Sequence, residues 1–276
     1  MHKHGRHAIE EAIVRRKEQH QAAFIPFVMA GDPTFEESLG IILKMAEFSD
    51  VIEVGIPYSD PLADGPVIQA SALRALADSM TMERAFTLFQ AIREKTDVPL
   101  IAFTYVNPVL QYGYAEMAEK LAQIGVDGMI IPDLPYEESE PLQQALATYD
   151  LALIPLIALT SKDRIQKIAQ SASGFAYCVS SLGVTGERSQ FASDLQAFVQ
   201  TVSSHSSVPV AVGFGVKEPA QVHELRAYAD GVIVGSALVR LIGAIDEAKR
   251  SGDPRQVDAA YEHLFTLAQN LAQATR

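Results

Sequence analysis

The chain predicts a (β/α)8 TIM barrel with an extra helix at its amino terminus. Apolar runs without polar alternation recur along it, the pattern of parallel strands covered on both faces. Segments with helical spacing separate these runs, which implies right-handed crossovers between parallel neighbours. The alternation repeats eight times in 276 residues, close to the ~250 residues typical of one such domain. Residues 1–276 are therefore expected to form a single barrel domain. An open doubly wound sheet is the rival arrangement, but no GxGxxG follows the first strand.

Ala8, Ile9, Ala12 and Ile13 stand at helical spacing among charges, so 8–21 is expected to be a helix that caps the closed end of the barrel. Ahead of it, His2, His4 and His7 read as a frayed, solvated terminus rather than a metal site. FIPFVMA at 24–30 is the first buried strand, and the Gly31-Asp32-Pro33-Thr34 turn opens a helix that runs to about 48. The second strand lies around Glu53. A helix over 67–95 follows, then strand 99–105, helix 114–124, strand 128–132, helix 137–149 and strand 151–156. Helix 162–171, strand 174–179, helix 191–204, strand 208–213, helix 219–228 and strand 231–235 complete the pattern before the closing helices.

Composition narrows the partners. There are 34 acidic and 22 basic residues, a net charge of -12, and no dense Lys/Arg run past the first residues. Nucleic acid and anionic membrane surfaces are unsuitable partners for such a chain. The lone Cys178 rules out an internal disulfide or a cysteine metal cluster and suits a reducing cytoplasm. No apolar run approaches the ~20 residues of a membrane span.

The stretch DVIEVGIPYSDPLADGP at 50–66 places acids where acids are usually excluded. Side chains alternate along a strand, so Val51, Glu53 and Gly55 face one side and Ile52 and Val54 the other. Glu53 therefore points into an interior. It is either a structural carboxylate paired with a cation or an unpaired acid whose pKa burial raises toward neutrality. Pro57, Pro61 and Pro66 then forbid regular structure, and Asp60 and Asp64 sit in turn sequences.

Gly213-Phe214-Gly215 follows the seventh strand and Gly235-Ser236-Ala237 the eighth. Loops after these two strands are the recurrent phosphate site of this barrel. One glycine pair would be an ordinary tight turn; two pairs at these positions predict exposed backbone N–H donors with a helix dipole behind them. Between them, SSLGVTGERS at 180–189 is long enough to close as a lid or to be a plain flexible loop. Tyr177 has the inward parity of Phe175 and Val179, which suits core packing as well as a site.

The 50–66 string resembles the signature of the tryptophan synthase alpha subunit family. GDP at 31–33, PDLP at 132–135, GVTG at 183–186 and GFGV at 213–216 extend the resemblance over nearly the whole chain. It implies retro-aldol cleavage of indole-3-glycerol phosphate to indole and glyceraldehyde 3-phosphate. By the same resemblance Glu53 is the proton donor and acceptor, and Asp64 takes the indole N–H. Thr185 hydrogen-bonds Asp64, Gly186, Gly215, Gly235 and Ser236 hold the phosphate, and Tyr177 lies near the substrate. Phe27, Phe103, Ile130 and Phe214 are the expected walls for the ring.

Lys44, Lys95, Lys120, Lys162 and Lys167 fall on helices, Lys217 follows the phosphate loop, and His20, His205, His223 and His263 lie on helices or at strand entrances, so neither a Schiff base nor a bound metal is expected. No cofactor is expected in this chain. The family pairs it with a beta subunit, which carries pyridoxal phosphate, in an α2β2 assembly, and Pro57 and Asp60 are expected at that contact. The other readings are a stand-alone lyase, a phosphosugar isomerase or epimerase, and a catalytically silent barrel that binds phosphate ligands.

Overall fold

The computed structural model describes residues 4–179, 188–213 and 215–276, with 188–192 described by backbone alone. Among the described residues nine strands, all parallel, make one sheet: β1 Ala23–Met29, β2 Ile52–Gly55, β3 Leu100–Phe103, β4 Gly128–Ile130, β5 Ala152–Leu153, β6 Leu156–Ala158, β7 Ala176–Val179, β8 Val210–Gly213 and β9 Gly231–Val234. Their order is β5-β4-β3-β2-β1-β9-β8-β7-β6. The two edge strands are consecutive pieces of one segment. Ile154 N–H bonds the Met129 carbonyl on one side, and the Pro155 carbonyl accepts from Tyr177 on the other, so the edges meet and the barrel closes. The strand expected at 151–156 is thus interrupted at Pro155, which has no N–H to continue a ladder.

Twelve α-helices accompany the strands among the described residues: α1 Arg6–Glu18, α2 Phe35–Ala46, α3 Pro66–Ala77, α4 Met82–Arg93, α5 Val106–Tyr112, α6 Tyr114–Gln123, α7 Glu140–Ala147, α8 Ile165–Gln170, α9 Arg188–His205, α10 Pro219–Leu225, α11 Ser236–Ser251 and α12 Pro254–Ala274. The helix expected over 67–95 is in fact two. Ser79 takes a positive φ of 60°, and the Thr81 side chain accepts the Arg84 N–H at 3.2 Å and so caps α4. α5 was absent from the expected pattern; Gly113, with φ 97°, separates it from α6.

The predicted parity holds. Val51, Ile101, Ile130, Phe175, Ala211 and Ile233 pack together inside the barrel, and Ile9 and Ile13 of α1 fill its amino-terminal end. Ile52, Val54, Leu100 and Met129 face outward against the helices.

Acids at the strand entrances tie this closed end together. Asp50, Asp127 and Asp230 accept the backbone N–H groups of Phe24, Leu100 and Val210 at 2.9, 2.8 and 2.9 Å. Arg16 and Arg276 reach Asp50 at 2.7 and 2.8 Å, Arg93 reaches Asp127 at 2.8 Å, and Lys17 reaches Asp230 at 3.0 Å. Residues 4–7 are not frayed as expected. Gly5 N–H bonds Asp127 at 2.6 Å and Arg6 N–H the Asp150 carbonyl at 2.7 Å. Asp127→Ala should therefore destabilise the fold by about 3–5 kcal/mol, because Arg93 and two backbone donors lose their buried acceptor. Thermal unfolding checks this; a melting temperature within a degree or two of the parent would remove Asp127 from the fold's supports.

Candidate active site

The carboxyl-terminal ends of the strands face away from α1 and carry the predicted acids. Glu53 sits in the middle of β2, in register with Phe27 on β1 and Ile101 on β3. It is 1% exposed, and among the described residues its Oε1 has no hydrogen-bond partner. Burial pushes its pKa up to about 8. Among the described residues no cation pairs with it, which favours the reading as an unpaired acid.

Asp64 is half-buried in the irregular loop between β2 and α3. Burial raises its pKa, while the nearby Tyr105 hydroxyl acts in the opposite direction. Phe27, Gly55, Asp64, Phe103 and Tyr105 border one small cavity of about 10 Å³. The Phe27 and Phe103 rings meet edge to face there, with centroids 5.5 Å apart at 81°. Gly55 makes room for the Phe27 ring: a Cβ on it would come within 2.6 Å of that ring. Glu53, Ile130 and Tyr177 do not border this cavity; they are buried beneath it in the barrel interior.

Tyr177 lies in β7 and is 8% exposed. Burial, Glu53 and Asp64, in that order, push its pKa well above the ordinary value, so it stays a neutral phenol within electrostatic reach of both acids. Its ring and hydroxyl occupy the space where a Gly213 side chain would be, with Cε2 only 2.7 Å from an added Cβ. Gly213 thus serves close packing against Tyr177 as well as any ligand.

At the other side of the opening, Gly215 is exposed with φ 72°, a conformation glycine favours. Gly235 caps α11 without a side-chain hydrogen bond, and Ser236 is the first residue of that helix, exposed. A Cβ on Gly235 would meet nothing closer than Phe27 Cβ at 3.6 Å. Packing therefore does not demand glycine there. Thr185, Gly186 and Phe214 lie outside the described residues. In the loop after β2, Pro57 is half-buried, Asp60 is exposed, and Leu62 is 92% exposed.

Sequence reasoning missed Tyr105 as a site residue. It lies just past the end of β3, and its partner Ala63 is distant in sequence, so no local pattern marked it. A larger cleft of about 300 Å³ lies elsewhere, between residues 131–136 and 161–171, and shares no residue with the Asp64 cavity.

Fold and site together define an α/β-barrel enzyme that presents an unpaired interior acid and a loop acid at the carboxyl-terminal ends of its strands. The model of the family described as tryptophan synthase alpha chain matches residues 13–274. A tryptophan synthase alpha chain from Halalkalibacterium halodurans is 50% identical over 237 residues, 85% of this chain and 89% of that one. One from Geobacillus stearothermophilus is 48% identical over 251 residues, 90% and 93% of the two chains. Among solved structures, the tryptophan synthase alpha subunit of Legionella pneumophila superposes with a TM-score of 0.84 at 32% identity, covering 97% of this chain and 98% of that one. A tryptophan synthase structure from Mycobacterium tuberculosis does so with a TM-score of 0.84 at 34% identity, covering 99% of each chain. The chain belongs to the tryptophan synthase alpha chain family. It is accordingly a lyase that cleaves indole-3-glycerol phosphate.

Proposed function

We propose that Glu53 and Asp64 perform this cleavage without a cofactor or metal in this chain. The observation that carries the reading is Glu53 itself: an acid sealed in the barrel, unpartnered at Oε1 among the described residues, with its pKa pushed up to about 8. Near neutral pH such an acid holds its proton. Glu53 gives that proton to indole C3, which makes the ring system an iminium-like cation. The carboxylate so formed takes the proton of the side-chain hydroxyl, the C3–C3′ bond breaks, and its electron pair restores the indole. Indole and glyceraldehyde 3-phosphate result, and Glu53 is again protonated.

Asp64 accepts the ring N–H and stabilises the positive charge as it develops, which lowers the barrier. Phe27, Phe103 and Ile130, with Phe214, wall the ring, and Tyr177 packs near it. The phosphate goes to Gly215, Gly235 and Ser236, where the α11 N-terminus supplies backbone donors and the positive end of its dipole. The room for a Cβ at Gly235 supports this, since a glycine not needed for packing suits a close-approaching ligand. Thr185 and Gly186 complete the site as lid residues.

Tryptophan synthase alpha chains normally pair with a beta subunit. We place that contact on the loop after β2, through Pro57 and Asp60, in an α2β2 assembly in the cytoplasm. The exposed Leu62 beside them suits a docking surface, and among the described residues no helix is long and apolar enough to cross a membrane.

The test is to incubate the purified chain with indole-3-glycerol phosphate while titrating the beta subunit. Slow indole release alone and faster release in the complex are expected. A folded chain that releases no indole under either condition would overturn the lyase reading. Indole release with neither a complex nor a rate change at micromolar concentrations would make it a stand-alone lyase.

A further inference from the structure

Asp64 rides on a loop without regular structure, so whatever fixes its carboxylate has to come from another element. Tyr105, at the end of the segment that β3 begins, is 4% exposed. Its hydroxyl accepts the Ala63 N–H at 3.1 Å, and its side chain borders the same small cavity as Asp64, whose charge acts on its ionisation. A phenol has one proton to donate. With Ala63 N–H on an oxygen lone pair, that proton is available to Asp64. A buried tyrosine hydroxyl needs a partner, and Ala63, the residue before Asp64, supplies one.

Neighbouring contacts hold the rest of the loop to the same scaffold. The Tyr58 ring packs on Tyr105 with centroids 5.4 Å apart, and the Tyr58 hydroxyl accepts from Asn107 Nδ2 at 3.0 Å. Thr104 Oγ1 donates to the Ile56 carbonyl at 3.4 Å. The other ionisable groups that act on this pair are Tyr177, which feels Asp64, and Asp133, which accepts the Val106 N–H at 2.8 Å and lies near Tyr105.

We propose that Tyr105 is a positioning residue for the reaction: its hydroxyl locks the Ala63 backbone and aims the Asp64 carboxylate at the ring nitrogen. The proposal rests on the role given above to Asp64. Burial, and Asp64 after it, raise the Tyr105 pKa, so the hydroxyl keeps its proton through the working range and the lock does not come undone by ionisation.

The experiment compares Tyr105→Phe and Tyr105→Leu in the wild-type and Asp64→Asn backgrounds, with kcat, KM and melting temperature for each. Tyr105→Phe keeps the ring and is expected to melt close to wild type. Its kcat should fall roughly 10- to 100-fold, the worth of a charge-assisted hydrogen bond, while KM stays within about threefold because ring walls and phosphate donors are untouched. In the Asp64→Asn background the same change should cost less than about threefold, since the two residues act as a unit. A wild-type kcat in Tyr105→Phe would overturn the proposal. So would an equal loss in both backgrounds, or a loss that follows melting temperature across the Phe and Leu variants instead of the hydroxyl. Full activity in Asp64→Asn alone is a different result, and it would overturn the role given to Asp64.

Discussion

Glu53→Gln is expected to cut indole release by a hundred- to ten-thousandfold, the range of a positioned general acid/base group, while making the protein more stable. The amide keeps the shape of the side chain but cannot pass a proton. Stability rises for a separate reason. In the folded chain burial pushes the Glu53 pKa up to about 8 from 4.5, so between those values the folded state holds a proton that the unfolded state has released. Below about pH 4.5 both states hold the proton and the burial carries no charge penalty; the penalty grows as pH rises and levels off above 8. At pH 7 it costs the wild type on the order of 3 kcal/mol. Glutamine stays neutral and pays nothing of this kind. Melting curves from pH 5 to 9 should show wild type losing stability relative to the variant as pH rises. Near-normal turnover by the variant would end the assignment of Glu53, and parallel melting curves would end the account of its burial.

Asp64→Asn is expected to lower kcat by roughly a hundred- to a thousandfold, comparable to removing a preorganised electrostatic partner of the transition state. An amide oxygen can still accept the ring N–H, but it brings no charge to the developing cation. Binding of glycerol phosphate should be unchanged, because the proposed phosphate donors belong to other loops, those after β8 and β9. The wild-type pH profile follows from the two acids together. Asp64 has to be ionised and its pKa is raised by partial burial, so the acid limb should stand above that of an ordinary aspartate. Glu53 has to be protonated at the start of the cycle, so activity should fall again near pH 8. Loss of kcat with the same acid limb in Asp64→Asn would mean that another group sets it.

How much of this was legible beforehand depended on the range of the interaction involved. The inward parity of Val51, Glu53 and Gly55 is a local rule, and Glu53 lies buried as that rule demands. The glycines after β8 and β9 were visible in the same way, from their place in the repeat. The break between α3 and α4 was nearly legible: Thr81 three residues before Arg84 has the spacing of a helix cap, and Asp78 and Ser79 precede it. Apolar periodicity on both sides hid it. Tyr105 was missed because its meaning comes from Ala63, 42 residues away. The amino terminus was misread for the same reason, since Gly5 finds its acceptor 122 residues later at Asp127.

By itself the sequence determined the class of fold, the end of the barrel that bears the acids, and the family, because strand parity, turn chemistry and motif strings are encoded over a few consecutive residues. What only the tertiary structure decided is what each acid touches. Asp50 and Asp127 lie at strand entrances and meet arginines from distant helices and the chain end, so they support the fold. Glu53, two strand positions beyond Val51, meets among the described residues no partner at Oε1, and burial pushes its pKa up to about 8, as the proposed acid/base role requires. The residue type is the same carboxyl group in every case. Whether it becomes a brace or a catalyst depends on closure of the barrel, which sets desolvation and charge partners that no local stretch of chain contains.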